Sequence, residues 1–227
     1  MRVRTDLNIS LDGYAAPPPG TGTPENPLGE DWSRLVAPYV ATRTFQANVL
    51  GNHDTGTTGV NDRYATEYFE GTGAEIMGAG KFGLHMFGDD PDWRGWWGDN
   101  PPFHHPVFVL THTTPRPSIE MEGGTVFHFV SAPPAEVLAM AVDAADGADV
   151  RVGGGPTIVR DYLRAGLIDV LHLAVTPIIL GRGENLWENL RSIDLHYIAA
   201  SEAGEDGVSH ITFTRRDLAD RASRNRG

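Results

Sequence analysis

The 227-residue chain contains no cysteine. That excludes disulfides, thiolate nucleophiles and thiolate metal ligands together. Positive charge is scarce as well: 18 Lys and Arg stand against 30 Asp and Glu, for a formal net charge of −12. Such a surface repels phosphate backbones and anionic lipid, so neither nucleic acid nor an anionic membrane is an expected partner. The basic residues are scattered, apart from Arg215, Arg216, Arg221, Arg224 and Arg226. The stretch 216–227 around them reads as a polar tail that frays. No apolar run is long enough to cross a bilayer, and the opening MRVRTDLNISLDG lacks the apolar core of a signal peptide. A cytoplasmic protein is the expectation. His85, His104, His105, His112, His128 and His172 never fall into a ligand spacing such as H-E-x-x-H, so no metal site is expected. There is no internal repeat and no composition break, which favours one domain over residues 1–215.

Most informative of what is present is the stretch 149–187. Residues 149–152 form a short apolar strand. Gly153, Gly154 and Gly155 follow, where the absence of Cβ lets the backbone turn sharply and approach a ligand closely. Pro156 suits the first position of a helix, since its missing N–H costs nothing there. Ile158, Val159, Tyr162 and Leu163 fall on one helical face, with Arg160, Asp161 and Arg164 opposite. Gly166 ends the helix as a left-handed cap. Residues 169–175 are nearly all apolar, the pattern of a buried parallel strand. A glycine turn between a strand and a helix N-terminus presents free N–H groups and a positive dipole end, a site for phosphate or pyrophosphate. It is not the Rossmann fingerprint, because three glycines and a proline do not make G-x-G-x-x-G. Taken alone, the glycines also fit a tight connection with no ligand.

Elsewhere strand and helix patterns alternate. Strands are expected at 3–10, 74–77, 107–110, 125–130, 193–199 and 208–214, the last two forming a hairpin around residues 204–207. Helices are expected over 31–48, 62–70 and 133–145, the first capped by Asp31 and kinked or shortened at Pro38. Residues 17–28 form a loop long enough to act as a flap. The aperiodic segment 88–106, with Trp93, Trp96 and Trp97, reads as a structured loop. His172 lies mid-strand and reads as a satisfied core residue. The alternation argues for an open α/β sheet with helices on both faces, ending in an antiparallel pair.

Several of these segments, in this order, resemble the dihydrofolate-reductase-like reductases, and within them the C-terminal reductase domain family of the riboflavin-biosynthesis deaminase/reductase. The residues that carry the resemblance are Ile9-Ser10-Leu11-Asp12-Gly13, Ile76-Met77-Gly78, Val107-Phe108-Val109-Leu110-Thr111, G-G-G-P-T from Gly153 to Thr157, Gly166-Leu167-Ile168-Asp169, and P-x-x-L-G-x-G from Pro177 to Gly183. The resemblance implies a central mixed, mostly parallel eight-stranded sheet with NADPH across the carboxyl ends of its strands. It also implies hydride delivery to a C=N or C=C–C=O acceptor, and a homodimer.

Roles follow from the same resemblance. Gly153, Gly154, Gly155, Pro156 and Thr157 are expected to hold the pyrophosphate, Thr157 adding its hydroxyl. Gly78, Ala79, Gly80 and Lys81 form a second cofactor contact. Relatives carry an Arg after the first glycine; here Ala79 stands there and Lys81 is the nearest cation. Thr111 and His112 are placed to meet the 2′-phosphate of NADPH, with Arg116 a further candidate. Asp12 is the catalytic candidate: it can orient the carboxamide or relay a proton, which needs a raised pKa. Equally, Asp-Gly after a strand is ordinary turn chemistry. Asn8 and Ser10 share a strand face with Asp12 and are expected at the substrate, together with Phe45 and Trp97 of an aromatic set that includes Trp32, Trp93 and Trp96. The helix over 31–48 has no acid from residue 32 onward, so the pterin-reducing pattern is missing. The riboflavin step itself is less expected, because no deaminase domain precedes this one. The reading is an NAD(P)H-dependent reductase of a small heteroaromatic, imine or enone. The alternatives are a non-catalytic small-molecule binder on the same fold and an obligate dimer whose role is assembly.

Overall fold

The computed structural model describes residues 1–18, 26, 28–112, 116–191 and 193–219. Eleven strands are seen among them: β1 Val3–Ser10, β2 Tyr14–Ala16, β3 Thr72–Gly78, β4 Pro106–Leu110, β5 Ile119–Glu120, β6 Val126–Val130, β7 Asp149–Val152, β8 Val170–Thr176, β9 Glu184–Asn185, β10 Tyr197–Ala203 and β11 Ser209–Arg215. The helices are α1 Gly29–Val40, α2 Arg43–Leu50, α3 Val60–Phe69, α4 Ala79–Phe82, α5 Leu84–Phe87, α6 Pro134–Ala144 and α7 Pro156–Arg164. Nine strands make the main sheet in the order β10-β11-β8-β1-β7-β3-β4-β6-β5, while β2 and β9 pair separately. Strands β8, β1, β7, β3, β4 and β6 run parallel, and the antiparallel members lie at the two ends. The α/β class and the mostly parallel mixed sheet are as expected. The count is nine rather than eight because β5, two residues long, adds to the edge at β6. Two residues carry no period for a sequence to show.

The two faces of the sheet differ in chemistry. Alternation along β1 sends Val3, Leu7 and Ile9 toward α6 and α7, where Ala74, Ile76, Val137, Ile158, Val159 and Tyr162 close the larger core. Beneath β3, β4 and β6 the opposite face packs Met77, Val107, Val109, Phe127 and Phe129 on Phe82 and Phe103. Further along that same face the strands carry charge: Asp6, Glu75, Arg151, His172 and His210. Helices α1 and α3 cover this part, and Thr176 donates to the Leu35 carbonyl at 2.9 Å, tying α1 to β8.

The single helix expected over 31–48 is two. Its first part begins at Gly29 with no side-chain cap, and Asp31 sits in the first turn, paired to Arg182 at 2.8 Å. The break falls at Thr42, whose extended backbone and hydroxyl cap α2 by accepting from the Phe45 N–H at 3.2 Å. Residues 193–196 form a 3-10 turn instead of strand, so β10 starts only at Tyr197. Most of the expected flap over 17–28, and residues 220–227 of the tail, lie outside the described residues. No helix among the described residues is long and apolar enough to cross a membrane.

Candidate active site at the carboxyl edge of the sheet

Because six neighbouring strands run parallel, Ser10, Gly78, Leu110, Val152 and Thr176 all end at one edge. Ligands of open α/β sheets bind in the crevice outside that edge. Two glycine segments meet there. The Gly153 N–H donates to the Ile76 carbonyl at 2.8 Å, and the Gly78 N–H donates to the Gly154 carbonyl at 3.1 Å.

The three consecutive glycines have three different reasons. A Cβ on Gly153 would lie 2.0 Å from Glu75 Oε1, so this position is closed by packing. Gly154 has φ +96°, a conformation glycine adopts without strain. Gly155 has φ −68°, and a Cβ there would meet nothing within 4 Å. Open space above Gly155, at the N-terminus of α7 where the first N–H groups lack intrahelical acceptors, is a cradle of the kind a pyrophosphate fills. Pro156 is buried at the first helical position. Thr157 is exposed, but its hydroxyl is spoken for: it donates to Glu184 Oε2 at 2.9 Å and accepts from Arg160 at 3.0 Å. Its contribution to an anion is therefore the main-chain N–H alone.

Lys81 is not available on the surface for a 2′-phosphate. Its ammonium donates to the Gly153 carbonyl at 2.6 Å and to Glu75 Oε1 at 2.9 Å. Glu75 in turn accepts from Arg151, whose Nε lies at 2.9 Å, and the Arg151 guanidinium lies 3.6 Å over the Tyr68 ring. Burial would push the Glu75 carboxyl up, but Arg151 and Lys81 hold it down at about 2. Glu75 and Arg151 are partners in register on adjacent strands. In the sequence each is a lone charge between apolar neighbours, Ala74 and Ile76 for Glu75 and Val150 and Val152 for Arg151.

Asp12 has the turn role. Its Oδ1 accepts from Ser10 Oγ at 2.7 Å and Leu180 N at 3.1 Å, and its Oδ2 accepts from Gly181 N at 2.7 Å. Desolvation would raise its pKa; the bonds from Ser10, Gly181 and Leu180 outweigh that and hold it below the ordinary value. A relay needs the opposite shift. Ser10 is buried, donating to Asp12 and accepting from Tyr14 N at 3.0 Å, so it braces the turn rather than facing a substrate. Asn8 is half-buried, two residues further in on the same face.

The expected aromatic pocket is divided. Phe45 packs edge-on against Tyr39 at 5.0 Å, under α1 and α2. Trp97 belongs to the other cluster, against Phe103 at 4.9 Å and Phe127 at 5.8 Å. Its loop position gave no indication of that, because a core anchor and a pocket wall are the same residue type in sequence. At the end of β4, Thr111 is buried and donates its N–H to the Val130 carbonyl, while His112 is exposed. Nearby, Arg116 donates to the Asp90 carbonyl at 2.9 Å and leaves Nη1 buried with no partner among the described residues.

His172 is satisfied, as expected, within a buried row. Its Nδ1 lies 3.1 Å from Asp6 Oδ1 and its Nε2 3.0 Å from His210 Nδ1; His210 Nε2 lies 2.8 Å from Asn61 Oδ1. The Tyr64 ring stacks on both imidazoles. Burial, then the neighbouring His172, pushes His210 down to about 4, and burial first of all does the same to His105. Unfolded histidine takes up its proton near 6.5. Stability is therefore complete above that pH and is lost as pH falls toward about 4. Thermal melts across this window are expected to show a falling midpoint, with a flatter profile for His210→Gln; identical profiles would contradict the assignment.

A cleft of about 450 Å³ lined by Leu163, Tyr197 and Arg215 opens at the opposite edge, by the amino end of β8. Two of its arginines are paired, Arg164 with Asp161 and Arg215 with Asp169 and Asp217, and Arg216 donates Nε to the Leu195 carbonyl at 2.9 Å. Among the described residues no group of three or more His, Cys, Asp or Glu is placed to hold a metal ion.

An open, mostly parallel sheet with a glycine cradle at its carboxyl edge defines a class of α/β ligand-binding proteins. Within that class, the RibD C-terminal domain model matches residues 2–206, and the chain belongs to that family. A protein described as belonging to riboflavin biosynthesis, from Shewanella sp. PV-4, shares the fold: TM-score 0.59, 22% identity, 95% of this chain and 99% of that one. RibD of Acinetobacter baumannii aligns over 94% of this chain at TM-score 0.50 and 14% identity, and this chain spans 57% of it. A CinA-like protein of Myxococcus xanthus is 44% identical over 50 residues, which is 22% of this chain and 11% of that protein.

Proposed function

We propose that the protein is an NADPH-dependent reductase that passes a hydride from the nicotinamide to a small heteroaromatic, imine or enone substrate. The observation that carries this is the open cradle above Gly155 at the start of α7, on a chain of the RibD C-terminal domain family. Bound NADPH supplies the hydride; the chain's own residues bind and orient. Main-chain N–H groups at Gly155, Thr157 and Ile158 meet the pyrophosphate. The resemblance assigns the 2′-phosphate to exposed His112 and to Arg116, which has a buried nitrogen left over, and this supports the reading of NADPH over NADH. Asn8 and the Tyr39–Phe45 pair border the substrate side. Asp12 acts as a brace: it ties the end of β1 to residues 180 and 181 and so fixes the wall of the crevice. Its hydrogen bonds hold the carboxyl below the ordinary value, which supports a brace over a proton donor. The test is loss of nicotinamide absorbance with a panel of imines, enones and pyrimidines. Turnover supports a reductase. Tight binding without turnover of any member would favour a non-catalytic binder.

We further place the protein in the cytoplasm as a homodimer. The support for the homodimer is the outer edge of β10, where every residue from 198 to 203 is exposed and no further strand pairs among the described residues. Soluble proteins cover such edges. Light scattering after gel filtration is expected to give twice the chain mass of 24.6 kDa. A single-chain mass for the full protein at micromolar concentration removes the proposal.

A further inference from the structure

The chain holds 18 Lys and Arg, and only Lys81 is a lysine. This one lysine lies beneath the glycine cradle. Its ammonium donates to the Gly153 carbonyl at 2.6 Å and to Glu75 Oε1 at 2.9 Å, and it would sit 2.9 Å from a Cβ on Gly153. An ammonium is a compact point charge with three donors; a planar guanidinium needs more room. Room is lacking here, because Glu75 is fully buried, Arg151 is 1% exposed and Lys81 is 23% exposed. The charges beneath the turn do not cancel. Lys81 and Arg151 both stand on the one Glu75 carboxylate, so this triad carries one positive charge. His105 adds none, being kept neutral by burial. On a protein of net charge −12, an anion site needs local positive potential. At the cradle no arginine follows Gly78; Ala79 stands there.

We propose that Lys81 is a positioning residue for a phosphate-bearing ligand, acting from beneath the sheet edge. It draws the Gly153 carbonyl inward, away from the ligand. The turn can then present N–H groups and no carbonyl oxygen to the anion. The surplus charge of the buried cluster supplies the attraction that a surface arginine would otherwise give. This rests on the reading of the turn as the pyrophosphate site, and adds to it the source of the charge.

A single lysine makes the test direct. Protein grown with lysine carbon-labelled at Cε gives one lysine side-chain signal. That signal is expected to shift and saturate in step with binding of NADPH, and in the same direction with inorganic pyrophosphate. Lys81→Met removes the charge but leaves the Glu75–Arg151 pair intact, so folding is kept. Its affinity for both probes is expected to fall about tenfold, equivalent to about 1.4 kcal/mol. The dependence of affinity on salt should become shallower, which a merely structural role would not produce. A folded Lys81→Met protein that binds both probes within a factor of about two of wild type overturns the proposal; a tenfold loss is the measure of support. So does an unmoved Lys81 signal at saturating NADPH, which also decides the matter should Lys81→Met fail to fold. Wild-type protein that binds neither probe removes the cofactor reading, and this inference with it. Wild-type binding with an unmoved signal removes this inference alone.

Discussion

Glu75→Ala is expected to unfold the protein or bring it close to unfolding. The substitution leaves Arg151, 1% exposed, with no carboxylate, and removes the partner of Lys81. Breaking a buried ion pair from one side costs about 3–5 kcal/mol, because the remaining charge stays buried and unpaired. Whole domains are stable by only about 5–15 kcal/mol. Replacing Glu75 and Arg151 together by leucine should recover much of the loss, since no buried charge is then orphaned except Lys81, which reaches solvent. Thermal or urea unfolding of the singles and the double gives the coupling directly. A Glu75→Ala protein as stable as wild type would show that the network does not carry the buried charge in the way its distances indicate.

Gly155→Val is expected to do the reverse: keep the fold and abolish cofactor binding. The backbone at Gly155, φ −68° and ψ −175°, is open to any residue and compatible with the following proline. A Cβ there meets nothing within 4 Å in the protein itself. It would stand instead in the cradle, and an affinity loss of about a hundredfold or more, about 2.7 kcal/mol, is expected. Gly153→Ala gives the contrast. Its methyl group would fall 2.0 Å from the buried Glu75 carboxylate, so stability drops before binding is at issue. Measuring melting temperature and NADPH affinity on both variants separates a glycine kept for the fold from one kept for a ligand. Unchanged NADPH binding in Gly155→Val would remove the turn from the site.

The distinction between those glycines was not legible in the sequence, although the turn was. G-G-G-P-T announces a sharp connection into a helix, and the helix does begin at Pro156. Nothing in three identical letters says that Glu75, far away in the chain, fills the space beside the first of them. The strands that position the site were legible, because β1 alternates loosely and β3, β4, β6, β7 and β8 are mostly apolar runs bounded by turn residues. Strands β2, β5 and β9 were not, having two or three residues each and no period. The charged side chains of Glu75, Arg151 and Asp6 were visible as single charges in buried strands. Their meaning depends on register, Glu75 beside Arg151 and Asp6 beside His172, which only the folded sheet supplies. Asp12 shows the limit from the other side. A carboxylate at a strand end reads equally as a relay or a brace, and its three hydrogen bonds support the brace.

We propose that a nicotinamide dinucleotide phosphate binds at the carboxyl edge of the sheet. Titration of the purified protein with NADPH and with NADH, followed by tryptophan and nicotinamide fluorescence, tests it most directly. Saturable binding of NADPH, weaker binding of NADH, and loss of both in Gly155→Val are expected. Binding of neither by the wild-type protein would contradict it.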